Sequence, residues 1–273
     1  MLEIKNLKVK VWDSQILSWV DLKFETWKNY LLLWKNGSWK SSLANFLMWN
    51  PKYEYVSWEV LVENENLLEL SPDLRAWKWI FLSFQNVPEI SWVNLREYLR
   101  TIYNSSLKAK DINPITPFIF KRFIKKYLDE LKIDESFLDR DLNVGFSGWE
   151  KRKIEILQAK LLNPKYIILD EIDSGLDLDA FKTVSNLVWE LSNENNCIIL
   201  ITHQFKMTQY LDFDEVYVLK NWLVDKNWWI DLLSEIEKEC NDYLKKYSYV
   251  TDALISAYPN IKFPEEKEII IYF

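Results

Sequence analysis

Two spacings of apolar residues recur along the chain, one typical of strands and one typical of helices. The predicted strands cover 2–11, 16–24, 30–33, 57–62, 80–85, 166–171 and 197–201. The predicted helices cover 40–48, most of 93–138 with a break near 113–117, a segment ending at Leu162, and 178–193. Because strands alternate with helices, we predict an α/β fold whose parallel sheet is covered on both faces. A closing hairpin is predicted at 215–219 and 222–225.

Polar residues stand at the ends of four of the apolar runs or follow them. They are Lys40-Ser41, Gln85, Asp170-Glu171 and His203. In an open parallel sheet, ligands bind outside the carboxyl ends of the strands, so these residues are expected to converge. Each has an ordinary structural explanation when taken alone, and a lone histidine is more often structural than catalytic. Their common position favours one shared ligand site.

The loop after the strand 30–33 has the layout of a phosphate-binding P-loop, G-x-x-x-x-G-K-[ST]. Lys40 and Ser41 close the pattern, but Trp34 and Trp39 stand where the motif has its framing glycines, and only Gly37 is glycine. Such a loop wraps phosphate with backbone N–H groups at a helix N-terminus, and an indole at 39 would occupy phosphate space. For this segment alone, a strand–turn–helix with a chance Lys-Ser pair is the alternative.

The composition is unusual in one respect. Only four of the 273 residues are glycine and fifteen are tryptophan, whereas glycine usually makes up about 7% of a chain. The net charge of −7 does not favour nucleic-acid binding. No run of 18 apolar residues predicts a membrane span, and Cys197 and Cys240 lie far apart outside any metal-binding pattern. A cytoplasmic chain with free thiols is therefore expected.

Taken together, the motifs resemble those of an ABC-type ATPase. They are Walker A at 34–41, the Q-loop Gln85, the signature motif Phe146 to Glu150, Walker B at 166–171, the D-loop ending at Asp177 and the switch His203. The resemblance covers about residues 2–240. It implies a P-loop NTPase fold of the ABC type: a mixed sheet with a parallel core, an N-terminal antiparallel β part and a helical insert. The implied ATPase domain is 1–245, with the helical part at about 86–162, followed by an extension of unknown role at 246–273.

More narrowly, the sequence is similar to the SufC-type ATPases of the Suf iron–sulfur cluster assembly system. The signature starts with Phe146 where transporters have leucine and ends on Glu150 where they have glutamine, and Ile172-Asp173 replaces their usual Pro-Thr. Two further similar strings are Leu70 to Trp77, and Ser83 to Gln85 followed by Pro88 to Ile90. The implied partners are SufB- and SufD-type scaffold proteins, contacted through about residues 86–140. The alternative is the nucleotide-binding subunit of an ABC transporter with a separate membrane permease.

The resemblance also implies a role for each motif residue. Lys40 would neutralise phosphate charge, Glu171 would orient or deprotonate the attacking water, and His203 would contact the γ-phosphate. Mg²⁺ would be held by Ser41 and, through water, by Asp170, and sensed by Gln85. The residues implied to bind ATP are Trp34, Lys35, Asn36, Gly37, Ser38, Trp39, Lys40, Ser41 and Ser42 and, across a head-to-tail dimer formed with ATP, Ser147, Gly148, Trp149, Glu150 and Asp177.

The departures from the family pattern are all of one kind, since tryptophan stands where glycine is common. The positions are Trp19, Trp27, Trp34, Trp39, Trp49, Trp58, Trp77, Trp79, Trp92, Trp149, Trp222 and the pair Trp228-Trp229, whereas Trp12 and Trp189 lie at variable positions. We hypothesise that most or all of these residues are glycines in the living protein, with UGA codons translated under the wrong code. Taken literally, the sequence would instead specify a nucleotide-free scaffold.

Overall fold

The structure, a computed structural model, describes residues 1–11, 14–34, 40–48, 54–172, 176–202 and 212–219. Its centre is a five-stranded sheet in which every neighbouring pair is parallel. In spatial order its strands are β11 (Glu215–Leu219), β3 (Tyr30–Trp34), β10 (Cys197–Thr202), β9 (Tyr166–Asp170) and β6 (Ile80–Ser83). The predicted parallel core is therefore confirmed.

A second sheet is antiparallel and is formed by the N-terminal part of the chain. In spatial order its strands are β2 (Ser14–Phe24), β1 (Leu2–Val11), β4 (Glu54–Val62) and β5 (Glu65–Asn66). The pairs of β1 with β2 and with β4 carry register shifts, which let the sheet bend over its neighbour. This sheet corresponds to the expected antiparallel β part.

Six α-helices, two short 3-10 helices at Leu67–Glu69 and Glu135–Asp139, and a small ribbon complete the described fold. The helices are α1 (Lys40–Leu47), α2 (Pro72–Lys78), α3 (Leu95–Ala109), α4 (Pro117–Leu131), α5 (Gly148–Leu162) and α6 (Leu178–Trp189). The ribbon pairs β7 (Ile90–Asn94) with β8 (Asp141–Leu142). In the described ranges, no helix is both long enough and apolar enough to cross a membrane.

The parallel sheet separates two apolar cores. Successive side chains of a strand point to opposite faces, so Ile198 and Leu200 pack into the core on the helical side, while Cys197 and Ile199 pack into the other. The first core holds the buried faces of α3 to α6, and the second holds α1 and the antiparallel sheet. Burial on both faces explains why these strands are continuous apolar runs instead of alternating ones.

Several predicted boundaries were wrong. Strand β6 ends at Ser83 and β9 at Asp170, so Gln85 and Glu171 lie just beyond their strands. Helix α6 ends at Trp189 and is capped by Glu190, whereas the predicted end was residue 193. Residues 215–219 do form a strand, but its described pairing is parallel to β3. The predicted hairpin partner 222–225, like Cys240 and the extension 246–273, lies outside the described residues.

Two tryptophans have backbone conformations that favour glycine. Trp27 has φ of 75° and Trp92 has φ of 68°, both in the left-handed region that bulky residues rarely adopt. Trp27 lies in the turn before β3, and its side chain is 60% exposed; Trp92 lies in the irregular strand β7 and is 94% exposed. The left-handed backbone costs on the order of 1–2 kcal/mol of stability per residue. Because both indoles are exposed, their burial does not offset this cost.

We predict that Trp92→Gly raises the free energy of unfolding by about 1 kcal/mol, because glycine relieves the left-handed strain. Trp92→Ala is the matched control, since it removes the indole but keeps a Cβ at the same φ. Trp189→Gly is the second control: Trp189 ends α6 in ordinary helical backbone, so glycine there should lower stability. Urea unfolding of the four chains measures all three effects. Equal gains from Trp92→Gly and Trp92→Ala would contradict the backbone explanation.

Candidate functional site

The carboxyl ends of β3, β10, β9 and β6 lie level with one another. Thr202 pairs with Leu33, Ile201 with Asp170, and Ser83 with Leu169, so the strands finish at one edge of the sheet. At this edge Trp34 is the last residue of β3, and Lys40 opens α1 with Ser41 and Ser42 in its first turn. The connecting residues Lys35, Asn36, Gly37, Ser38 and Trp39, and the switch residue His203, lie outside the described residues.

Three of the predicted site residues meet at the same edge. Asp170 and Glu171 are buried, with exposed fractions of 3% and 8%. The Glu171 backbone turns into the left-handed region, at φ of 48°, and its N–H donates to the Ile201 carbonyl at 2.9 Å. Gln85 Nε2 donates to Glu171 Oε2 at 2.5 Å although 86 positions separate them in the sequence. The predicted Q-loop and Walker B residues are thus brought together by the fold.

The signature residues form the start of α5. The Ser147 hydroxyl accepts from the Glu150 N–H at 3.3 Å, and Glu150 Oε2 accepts from the Ser147 N–H at 2.7 Å and from its hydroxyl at 2.8 Å. This reciprocal capping box explains why the helix starts here. Trp149 packs partly against the helical-side core, with Lys153 Nζ 4.8 Å from its ring centre.

Gly148 has open space beside it, whereas Asp177 caps a helix. A Cβ on Gly148 would have no atom within 4 Å, so packing within this chain does not require glycine there. Asp177 is the N-cap of α6, where Oδ1 accepts from the Ala180 N–H at 2.8 Å. Residues 173–175, between Walker B and Asp177, lie outside the described residues.

Comparison with known proteins agrees with this architecture. Residues 17–174 match the family described as ABC transporter. The chain is 40% identical over 250 residues to the probable ATP-dependent transporter ycf16 of Cyanophora paradoxa, spanning 92% of this chain and 96% of that protein. It is 34% identical over 254 residues to vegetative protein 296 of Bacillus subtilis, spanning 93% and 97% of the two chains. The chain belongs to the ABC transporter ATP-binding family.

A solved structure shows the same fold at lower identity. The dimeric post-hydrolysis structure of the ATP-binding cassette MJ0796, bound to ADP and Pi, superposes with a TM-score of 0.68 at 18% identity. The superposition covers 81% of this chain and 94% of that one. The expected ABC-type P-loop NTPase fold is therefore confirmed.

As an ABC ATPase, the chain hydrolyses ATP and uses Mg²⁺. The described edge of the sheet fits that ion, because Asp170, Glu171 and Gln85 offer carboxylate and amide oxygens, the ligand types that Mg²⁺ prefers. When bound, Mg²⁺ neutralises charge that develops on the transferred phosphate. Which residue takes which role in this ABC ATPase remains a prediction from the sequence.

Sequence reasoning missed two buried charged residues beside the site. Arg152 and Glu155 of α5 have side chains only 5% exposed and form an ion pair at 2.6 Å. Burial raises the pKa of Glu155, and the Arg152 guanidinium opposes that shift. The sequence offered one signal. Both residues lie among the apolar residues Ile154, Ile156 and Leu157 of the helix, which indicates burial. An unpaired buried charge is costly, so two buried charges of opposite sign are expected to pair.

The capping box of this ABC ATPase should make its stability depend on pH. Hydrogen bonds from the Ser147 N–H and hydroxyl lower the pKa of Glu150 below its ordinary value of 4.5. The folded state therefore gains stability from Glu150 above pH 4.5 and loses that gain as pH falls through the lowered pKa. We predict that Ser147→Ala lowers the free energy of unfolding at pH 7 by about 1 kcal/mol. Denaturant unfolding at pH 7 and pH 3 measures the change.

Glu150→Gln is the control for the charge, since its amide oxygen can still accept a hydrogen bond. The stability difference between the unmodified chain and Glu150→Gln should shrink between pH 7 and pH 3. A difference that stays constant over this range would contradict the role of the Glu150 charge.

Proposed function

We propose that this ATPase drives conformational change of SufB/SufD-type scaffold proteins during iron–sulfur cluster assembly in the cytoplasm. The observation that most supports this proposal is the sequence of the motifs around the ATP site. Phe146-Ser147-Gly148-x-Glu150 and Glu171-Ile172-Asp173-Ser174 are similar to SufC-type ATPases and depart from the usual transporter strings. No association with nucleic acid or insertion into a membrane is part of this proposal.

Exposed apolar residues next to Gln85 support a partner surface. Phe84 adjoins Gln85 and is 50% exposed, and Ile90, near the start of the helical part, is 40% exposed. Phe118 and Ile119, at the start of α4, are 72% and 50% exposed. Exposed apolar side chains of this size mark interaction sites when they cluster. We propose that the scaffold contacts about residues 86–140, within an ATPase domain of 1–245 whose helical part is about 86–162.

We also propose that two copies close head to tail on ATP, as the dimeric MJ0796 structures suggest by analogy. The exposed start of α5 supports this arrangement. Ser147 and Gly148 are exposed, and the space above Gly148 is open. A helix N-terminus with free space favours the approach of an anion such as the γ-phosphate of a second copy.

The alternative is a transporter subunit, in keeping with the names of several relatives. Probable ATP-dependent transporters of Cyanophora paradoxa and of Synechocystis are 40% and 37% identical to this chain. Affinity purification of the chain from its native host, followed by identification of co-purifying proteins, separates the two functions. Scaffold proteins of the SufB/SufD type are expected, whereas co-purification of a membrane permease would refute the proposal.

We further propose that most or all fifteen tryptophans are glycines in the native protein. The left-handed backbone at Trp27 and Trp92 supports this, because it is glycine-like at two positions where the family commonly has glycine. The codons answer the question directly: UGA at 34, 39 and 149 is expected, and UGG there would refute the proposal. Peptide masses from the native host give an independent answer.

A further inference from the structure

One buried arginine links the signature helix to the rest of the ATP site. Arg152 lies on α5, five residues after Ser147, and its side chain is 5% exposed. Its guanidinium donates to five acceptors. They are Glu155 Oε2 at 2.6 Å, the Phe84 carbonyl at 2.8 Å, the Gln85 carbonyl at 3.1 Å, the Glu171 carbonyl at 3.3 Å and Ser83 Oγ at 3.4 Å. Four of these five acceptors belong to the last residue of β6 or to the residues just after β6 and β9.

Glu155 completes the arrangement from the same helix face. Its Oε1 accepts from the Phe84 N–H at 3.0 Å while its Oε2 accepts from Arg152. The backbone of residue 84 is thereby held through both its N–H and its carbonyl. Because charge-assisted hydrogen bonds are about twice as strong as neutral ones, this short segment has little freedom to move.

The residues held in this way are the ones that meet at the ATP site. Gln85 and Glu171 are joined by the hydrogen bond between their side chains, and Arg152 holds the backbone carbonyl of each. Five residues of helix place Arg152 about 7.5 Å along the axis from Ser147. A rigid segment of α5 therefore connects the exposed signature residues to Gln85 and Glu171.

A purely structural ion pair is the competing explanation. A buried pair often contributes little net stability, because desolvation offsets the attraction. The hydrogen-bond acceptors favour a role at the ATP site. Besides Glu155, the guanidinium contacts the backbone carbonyls of Gln85 and Glu171, which are both predicted site residues. We infer that Arg152, backed by Glu155, is a positioning residue that fixes the backbone of Gln85 and Glu171 for ATP hydrolysis. This inference depends on the ATPase activity alone, and not on the proposed scaffold partners.

Steady-state ATP hydrolysis and denaturant unfolding of four variants test it, in a chain carrying whatever the native host has at the fifteen tryptophan positions. Arg152→Met is expected to lower kcat about 10- to 100-fold, the effect of displacing reacting groups by about 1 Å, with little change in KM. Arg152→Lys should recover part of this loss, because its ammonium can still reach some of the acceptors.

The double variant Arg152→Met/Glu155→Leu distinguishes a role of Arg152 in positioning Gln85 and Glu171 from a role in stability alone. It removes both buried charges, so it is expected to regain the stability lost in Arg152→Met without regaining kcat. Arg75→Met is the matched control. Arg75 is also buried, and it donates to the carbonyls of Leu47, Leu68 and Leu70 instead of those of Gln85 and Glu171. It should lose stability but keep kcat per folded molecule.

Two outcomes would overturn the inference. In the first, kcat returns in the double variant together with stability. In the second, Arg75→Met lowers kcat per folded molecule as much as Arg152→Met does. Either result would assign Arg152 a structural role only, and neither bears on which partner proteins the ATPase serves.

Discussion

Glu171→Gln is expected to lower kcat for ATP hydrolysis by roughly two to four orders of magnitude, the usual contribution of a positioned general base. Glu171 is buried, follows Asp170 at the carboxyl edge of the sheet, and accepts from Gln85 at 2.5 Å. Glutamine has nearly the same shape but is a far weaker base. In a chain that carries the native host's residues at the fifteen tryptophan positions, ATP binding should therefore persist, and the ATP-bound dimer should accumulate. Single-turnover hydrolysis, nucleotide titration and size-exclusion chromatography with ATP measure the three effects.

Glu190→Gln is the matched control for this experiment. It makes the same chemical change at an exposed glutamate that caps α6 and lies 3.4 Å from Lys160. Its activity should match that of the unmodified chain. If Glu171→Gln hydrolyses ATP at a rate close to the control, the role assigned to Glu171 is wrong.

The chain with glycine at both 34 and 39 is expected to bind ATP at least about 100-fold more tightly than the chain as written, which corresponds to about 2.7 kcal/mol. The reason is steric. A P-loop contacts phosphate through successive backbone N–H groups, and an indole at 39 would occupy the space of the phosphate. Calorimetric titration with ATP and Mg²⁺ measures the difference between the two chains.

The single variants Trp34→Gly and Trp39→Gly, together with one control, show how much each position contributes to the gain in ATP affinity. Trp39→Gly should account for most of the gain, because the glycine before the lysine of the motif lies closest to the phosphates. Trp189→Gly, at the end of α6, should leave affinity unchanged. Equal ATP affinity of the two chains would refute the steric argument and weaken the case for glycine at these positions.

The strands and their polar ends could be predicted because burial on both faces produces continuous apolar runs. The meeting of Gln85 with Glu171 followed from one general rule, that ligands bind at the carboxyl edge of a parallel sheet. The positions of strand ends could not be predicted to the residue, since Glu171 leaves β9 through a left-handed turn that no local pattern announced.

The sequence also left the connection between motifs hidden. Arg152 donates to backbone carbonyls just beyond β6 and β9, and Glu155 accepts from the Phe84 N–H, so the partners of both side chains lie far away in the chain. In the same way, nothing local indicates that β11 pairs with β3. Contacts distant along the chain are the ones that periodicity does not encode.

The strand order has a consequence for how the protein is made. Strand β3, which leads into the P-loop, is flanked by β10 and β11, so both of its neighbours come from residues 197–219. At a synthesis rate of about 5–20 residues per second, β3 waits on the order of 10 to 40 s for its partners. During this time an apolar strand has two open edges, which is the condition under which nascent chains need chaperones. Release of a chain shortened before residue 197 would leave the nucleotide-binding strand with neither neighbour.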